Sequence, residues 1–175
     1  MPLARTIFTE NKKLRVFDFD DVLVKTNSFI YITHKDGKKS KLTPGQYAIY
    51  KEQPGDKFDY TDFQQVTNPK IIKAYVELLR RMVNSGGSRE VYILTARAAE
   101  KPVSNFIKDL GIFGVTVVAL GDNNPEKKAD WIEDKVKAGY NDIFFIDDSE
   151  KNINAVKNRL KKYDIKQKIQ QVKHF

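Results

Sequence analysis

The chain has 175 residues, 41% of them apolar, a formal net charge of +8 and no cysteine. That length and apolar content suit one globular domain spanning 1–175 with a small insertion, and they exclude a disordered chain. The missing cysteine excludes disulfides, thiolate zinc sites and thiol nucleophiles; with no ~20-residue apolar span and no apolar secretory leader, a cytoplasmic protein without a membrane partner is expected.

The first element is LRVFDF, residues 14–19, with the length and the β-branched and aromatic content of a buried strand. Residues 21–66 have mixed character and are read as an insertion after that strand. Within it, SFIYITHKDGKKSKLT predicts two strands around an Asp36-Gly37 turn, and PGQYAIYKEQPGDKFDY predicts loop with short strands. Asn68-Pro69 predicts a helix start, Asn as N-cap and Pro at the first position, with Ile71, Ile72, Tyr75, Leu78, Leu79 and Met82 on one face and Gly86-Gly87 as the stop. VYIL, residues 91–94, is a second strand. Residues 98–110 read as a helix with Pro102 in its first turn, and VTVVAL, residues 115–120, as a third strand.

Asn124-Pro125 repeats the capping pair and opens a helix to about Lys137. IFFI, residues 143–146, is a fourth strand. Ser149 caps a last helix with Ile153, Val156 and Leu160 on one face, and KIQQVKHF adds a final strand. Basic residues gather in 151–175 and at Lys35, Lys38, Lys39 and Lys41. A solvated lysine face is the favoured reading of the terminal run, with nucleic acid as the polyanionic partner in the alternative.

Strands alternating with helices predict a parallel sheet with helices on both faces, a three-layer Rossmann-like α/β fold. Right-handed crossovers would place every strand's carboxyl end along one edge, where ligands bind in such sheets. Three of the predicted strands lead to distinctive polar groups: Asp18-Phe19-Asp20-Asp21, Thr95-Ala96-Arg97 and Asp147-Asp148. The remaining one leads through a loop to Lys128. Asp18 and Asp20, two apart on an extended backbone, would face one side. With Asp147 they make a carboxylate cluster that a hard cation with oxygen ligands, Mg²⁺, would neutralise beside a phosphate.

In such a site Asp18 is the candidate nucleophile toward phosphorus and Asp20 the candidate acid and base. Thr95 and the backbone N–H groups of its turn would hold phosphoryl oxygens, and Lys128 would supply a fixed positive charge. Arg97 either grips substrate or pairs with an acid. Singly, each residue reads as well as a cap or a surface charge, and it is the ordered set that carries weight. His34 and His174 read as ordinary surface residues.

The order of these motifs resembles the haloacid dehalogenase (HAD) superfamily. FDFDDVLVKT is similar to its first motif, LTAR to its second, Lys128 to its third and FIDDSEKN to its fourth, over about residues 14–160. The resemblance implies a Mg²⁺-dependent phosphatase working through an aspartyl-phosphate. It implies a cation held by the Asp18 carboxylate, the Asp20 backbone carbonyl and Asp147, with Asp148 behind, and a flap or small cap built from 21–66. Spacing to an Ile-Asp-Asp fourth motif is similar to that in phage polynucleotide 3′-phosphatase domains, which favours Lys128 over Lys127. It also makes a nucleotide or polynucleotide 3′-phosphate end the leading substrate. A small sugar or metabolite phosphate, or a non-catalytic binding module, are the alternatives.

One feature qualifies the match, and one alternative is disfavoured by the order. Asp21-Val22 stands where the family often has Gly-Thr, and the hydroxyl at Val22 is lost. A phosphorylation receiver uses similar residues but carries its acidic pair after the first strand and its lysine last, the reverse of the order here.

In the insertion, Tyr31, Tyr47, Tyr50, Phe58 and Tyr60 read as a mini-core first and as a base-stacking surface second.

Overall fold

The computed structural model describes residues 11–173. Strand β1 (Lys13–Phe17) buries Leu14, Val16 and Phe17 completely, as its apolar run requires. The segment that follows holds two small antiparallel sheets. One pairs β2 (Val24–Lys25) with a later strand; the other is a β3 (Ile30–Thr33) and β4 (Lys39–Leu42) hairpin joined by a third strand. The hairpin turns at Asp36-Gly37 as expected, where Gly37 takes a φ of 85° that favours glycine.

A five-residue helix, α1 (Pro44–Ala48), stands where only loop and strand were expected. Its start is a capping box: Thr43 accepts from the Gln46 N–H, Gln46 accepts from the Thr43 N–H, and Pro44 follows the cap. Then come β5 (Lys57–Asp59), which pairs with β3, a 3₁₀ turn over Thr61–Gln64, and β6 (Lys70–Ile71), which pairs with β2. His34 is not an ordinary surface residue. It bridges Asp56 Oδ1 and Ser40 Oγ, each at 2.8 Å, and so ties the hairpin to the loop before β5. His174 lies outside the described residues.

The helix expected from Asn68-Pro69 begins later, as α2 (Lys73–Asn84). Asn68 sits at φ 45° and does not cap α2, whose first residue lies five positions on. Lys70 and Ile71 are spent on pairing with Lys25 and Val24, and the Ile72 N–H donates to Leu23 O. Ile71 is therefore exposed, and the buried face of α2 centres on Val76 and Leu79.

From there the elements follow expectation: β7 (Arg89–Thr95), α3 (Glu100–Asp109), β8 (Val115–Ala119), α4 (Pro125–Lys137), β9 (Asp142–Asp147), α5 (Glu150–Leu160) and β10 (Lys166–Gln171). Asn124 and Ser149 cap α4 and α5 through their side chains. The main sheet has five parallel strands in the order β10-β9-β1-β7-β8. Phe17, Ile93 and Ile146 pack with Val76 and Leu79 of α2 and Val103 and Ile107 of α3. Leu14, Val16 and Phe145 pack with Ile132 of α4 and Val156 and Leu160 of α5. Lys166 and Lys168 are exposed on edge strand β10, where charge discourages pairing with another chain.

Candidate active site

Because every strand of the main sheet is parallel, all carboxyl ends meet at one edge. From β1 the chain moves to β7 and β8 on one side, then crosses to β9 and β10 on the other. Connections leaving β1 and β9 thus diverge, and a crevice opens between those strand ends. The ladder runs one step past β1: the Asp18 N–H donates to Ile146 O at 2.9 Å. That bond sets Asp18 beside Asp147, though 129 residues separate them in the chain.

Asp18, Asp147 and Asp148 each offer a carboxylate oxygen within 4.8 Å of the others. At that spacing each charged pair repels by roughly 3 kcal/mol at an effective dielectric of about 20. Lys128, in the first turns of α4 and buried, reaches between two of them. Its Nζ donates to Asp18 Oδ1 and Asp147 Oδ2, both at 2.8 Å. Burial works against the Lys128 charge, but the Asp147 and Asp18 carboxylates outweigh it and hold the ammonium above its ordinary range. Lys127 is exposed.

One cation does not neutralise three carboxylates, and the surplus shows. Burial first, then the Asp147 charge, drive the Asp18 carboxyl well above the usual range, against the pull of Lys128. Asp148 is pushed up to about 7 by burial, then by Asp147 and Asp21. Asp147 is differently placed. It is fully buried, and its oxygens accept from the Ser149 N–H, Asn152 Nδ2 and Lys128. Asp148, rather than Asp147, lines the cavity above the sheet edge.

Asp20 also lines that cavity, but its carboxylate stands apart from the trio. The chain turns tightly after Asp18: Leu23 N–H donates to Phe19 O, and Asp21 takes a φ of 62°. Aspartate tolerates this conformation better than most residues with a side chain, which is why Asp can stand where glycine is common. Val22 is fully buried in the core, so its position packs rather than hydrogen-bonds through a side chain.

Arg97 resolves as the partner of an acid. Nε and Nη2 donate to Asp20 Oδ2 and Oδ1, each at 2.8 Å, and Nη1 donates to the carbonyls of Phe63 and Gln65. The guanidinium lies between the rings of Phe19 and Phe63. Thr95 is buried at the end of β7; its Oγ1 accepts from the Arg97 N–H, which leaves its O–H to donate. Thr95, Ala96, Arg97 and Lys128 all line the same cavity as Asp18.

Asn152 closes the FIDDSEKN segment but has no role assigned from the sequence, and neither do the carbonyls of Phe63 and Gln65. An Asn one turn into a helix carries no signal of its own, and backbone carbonyls carry none at all.

Compared with family models, curated proteins and solved structures, the chain matches none.

Proposed function

We propose that this chain is a Mg²⁺-dependent phosphomonoesterase of HAD type that works through an aspartyl-phosphate on Asp18. The observation that carries this reading is the convergence of Asp18, Asp147 and Asp148, the first two bonded to Lys128, at the carboxyl edge of a parallel sheet. The Asp18 and Asp148 carboxyls are raised by burial first and by neighbouring negative charge next, and hard oxygen donors suit Mg²⁺. Asp18 and Asp147 would hold the ion with the Asp20 carbonyl and with Asp148 at its side, while Asp147 also anchors Lys128. When bound, Mg²⁺ offsets the charge of carboxylates and phosphate so that the two can meet.

The residues then divide the work. An Asp18 oxygen attacks phosphorus and the bond to the leaving oxygen breaks; Asp20 delivers the proton that oxygen needs. A water next attacks phosphorus, Asp20 takes its proton, and the Asp18–phosphorus bond breaks to give inorganic phosphate. Thr95 O–H and the N–H groups of its turn would hold the phosphoryl oxygens, with Lys128 opposing their charge.

In this reading the helices on the two faces make the three-layer Rossmann-like fold, and 21–66 is a flap that covers the site. The cysteine-free composition supports a cytoplasmic setting. Of the expected substrates, the cavity's acidic lining favours a nucleotide over a polynucleotide end. The test is phosphate release from a generic aryl phosphate with and without Mg²⁺. Wild type should turn over only with the ion, and Asp18→Asn should be inactive. Equal turnover by that variant ends the assignment of Asp18.

A further inference from the structure

The cavity over the sheet edge has a volume of about 1700 Å³, far more than a phosphoryl group fills. Its charge is opposite to that of the chain. Beside Asp18, Asp20 and Asp148, its walls carry Asp21, Asp59, Asp122 and Glu150. The cationic side chains in the lining are Arg97, Lys128 and Lys151. Seven carboxylates against three cations make the lining formally −4 in a chain of +8. Arg97 and Lys128 are moreover already paired, with Asp20 and with Asp18 and Asp147. One divalent cation would bring the lining from −4 to −2. That admits a single phosphate at the ion, but every further phosphate in the cavity meets like charge inside the ~8 Å screening distance.

Another part of the lining is aromatic. Phe58 and Tyr60 stack with ring centroids 6.2 Å apart and planes 20° from parallel. Tyr47 meets both edge-on, and its hydroxyl bonds that of Tyr60 at 2.6 Å, which fixes the ring. These rings pack on one another, but none is buried, and the closed core of the segment is instead Ile30 and Ile32. Tyr60 is 45% exposed and lines the cavity together with Ile49, 73% exposed. A rigid stack that ends on an open ring accepts one more flat ring at little entropic cost.

We infer that the substrate is a phosphomonoester whose leaving alcohol carries a flat, uncharged aromatic ring, as in a nucleoside monophosphate, and that chains with further phosphates are poor substrates. This rests on the phosphomonoesterase reading above.

The test compares kcat/KM of the whole protein with Mg²⁺ on nucleoside 3′- and 5′-monophosphates, glycerol phosphate and a 3′-phosphorylated decanucleotide. At least one of the nucleoside monophosphates should exceed both other classes by roughly tenfold or more. Tyr60→Ala should cut the nucleotide-to-glycerol ratio about tenfold through KM, and Tyr60→Phe should keep it. Glu150→Lys, an exposed change on the rim, should raise turnover of the decanucleotide several-fold. A decanucleotide turned over as well as the best mononucleotide overturns the inference and leaves the phosphatase reading standing. Glycerol phosphate equal to the nucleotides does the same. Phosphate release from none of them while the aryl phosphate is turned over overturns the inference alone, and no release from the aryl phosphate either defeats both.

Discussion

Arg97 holds Asp20 by a two-pronged ion pair, Nε to Oδ2 and Nη2 to Oδ1, each at 2.8 Å. The same guanidinium grips two backbone carbonyls between β5 and β6, so one buried side chain ties the proposed acid and base to the segment over the site. Lysine has the charge but not the fork. Arg97→Lys should therefore lower kcat by about tenfold to a hundredfold, the cost of a misplaced catalytic group, with a smaller change in KM. Faster amide exchange across 61–65 in the variant would show that the second grip is lost as well. Unchanged kcat would remove Arg97 as a positioning residue.

Lys128 is the shared counter-ion of two buried acids. Lys128→Met leaves both carboxylates without it and should destabilise the fold by about 3–5 kcal/mol near neutral pH. As pH falls, Asp18, whose carboxyl is already held well above the usual range by burial and by the Asp147 charge, takes a proton in place of its bond to the lysine, and the deficit should shrink. Urea midpoints of wild type and variant at pH 7 and pH 4 check this. An equal loss at both values would mean that the lysine stem matters more than its charge.

Asp148, pushed up to about 7, sets a pH dependence whose sign is determined. Its proton competes with a cation, so Mg²⁺ affinity should climb as pH rises toward 7 and level off above it. In the ion-free protein the raised pKa means that the fold binds this proton more tightly than the unfolded chain does. Its contribution to stability is therefore complete below the unfolded value near 3.8 and is lost as pH rises through about 7. Calorimetric Mg²⁺ titrations from pH 5.5 to 8 test the first point, and Asp148→Asn should flatten the profile while weakening affinity.

Glu133 has the opposite sign. Hydrogen bonds from Tyr163 first and Lys162 next, then Arg159, lower its carboxyl to about 2. Its stabilising share is present above the unfolded value near 4.5 and fades as pH falls toward 2. Thermal melts of Glu133→Gln should run closest to wild type at the acid end, diverge as pH rises from about 2 to 4.5, and keep a constant gap above that.

Much of this molecule was legible from local pattern. Apolar runs at 14–17, 91–94, 115–119 and 143–146 read as strands and form β1, β7, β8 and β9, and Asn124-Pro125 and Ser149 start helices through atoms within three residues of themselves. The candidate acids and Lys128 were legible because strand order predicts which ends share an edge. Where a signal had two local readings, tertiary contacts chose. Asn68-Pro69 has the form of a helix cap, but pairing of Ile71 with Val24 took the residues that would have been the first turn. Arg97 could grip substrate or an acid, and only the approach of Asp20, 77 residues away, decided it. Asp147 and Asp148 are neighbours of one chemistry, yet burial made one an anchor for Lys128 and turned the other toward the cavity. Short-range hydrogen bonding and periodicity are written in adjacent residues, whereas the charge state and direction of a carboxylate depend on groups that meet it only after the sheet has closed.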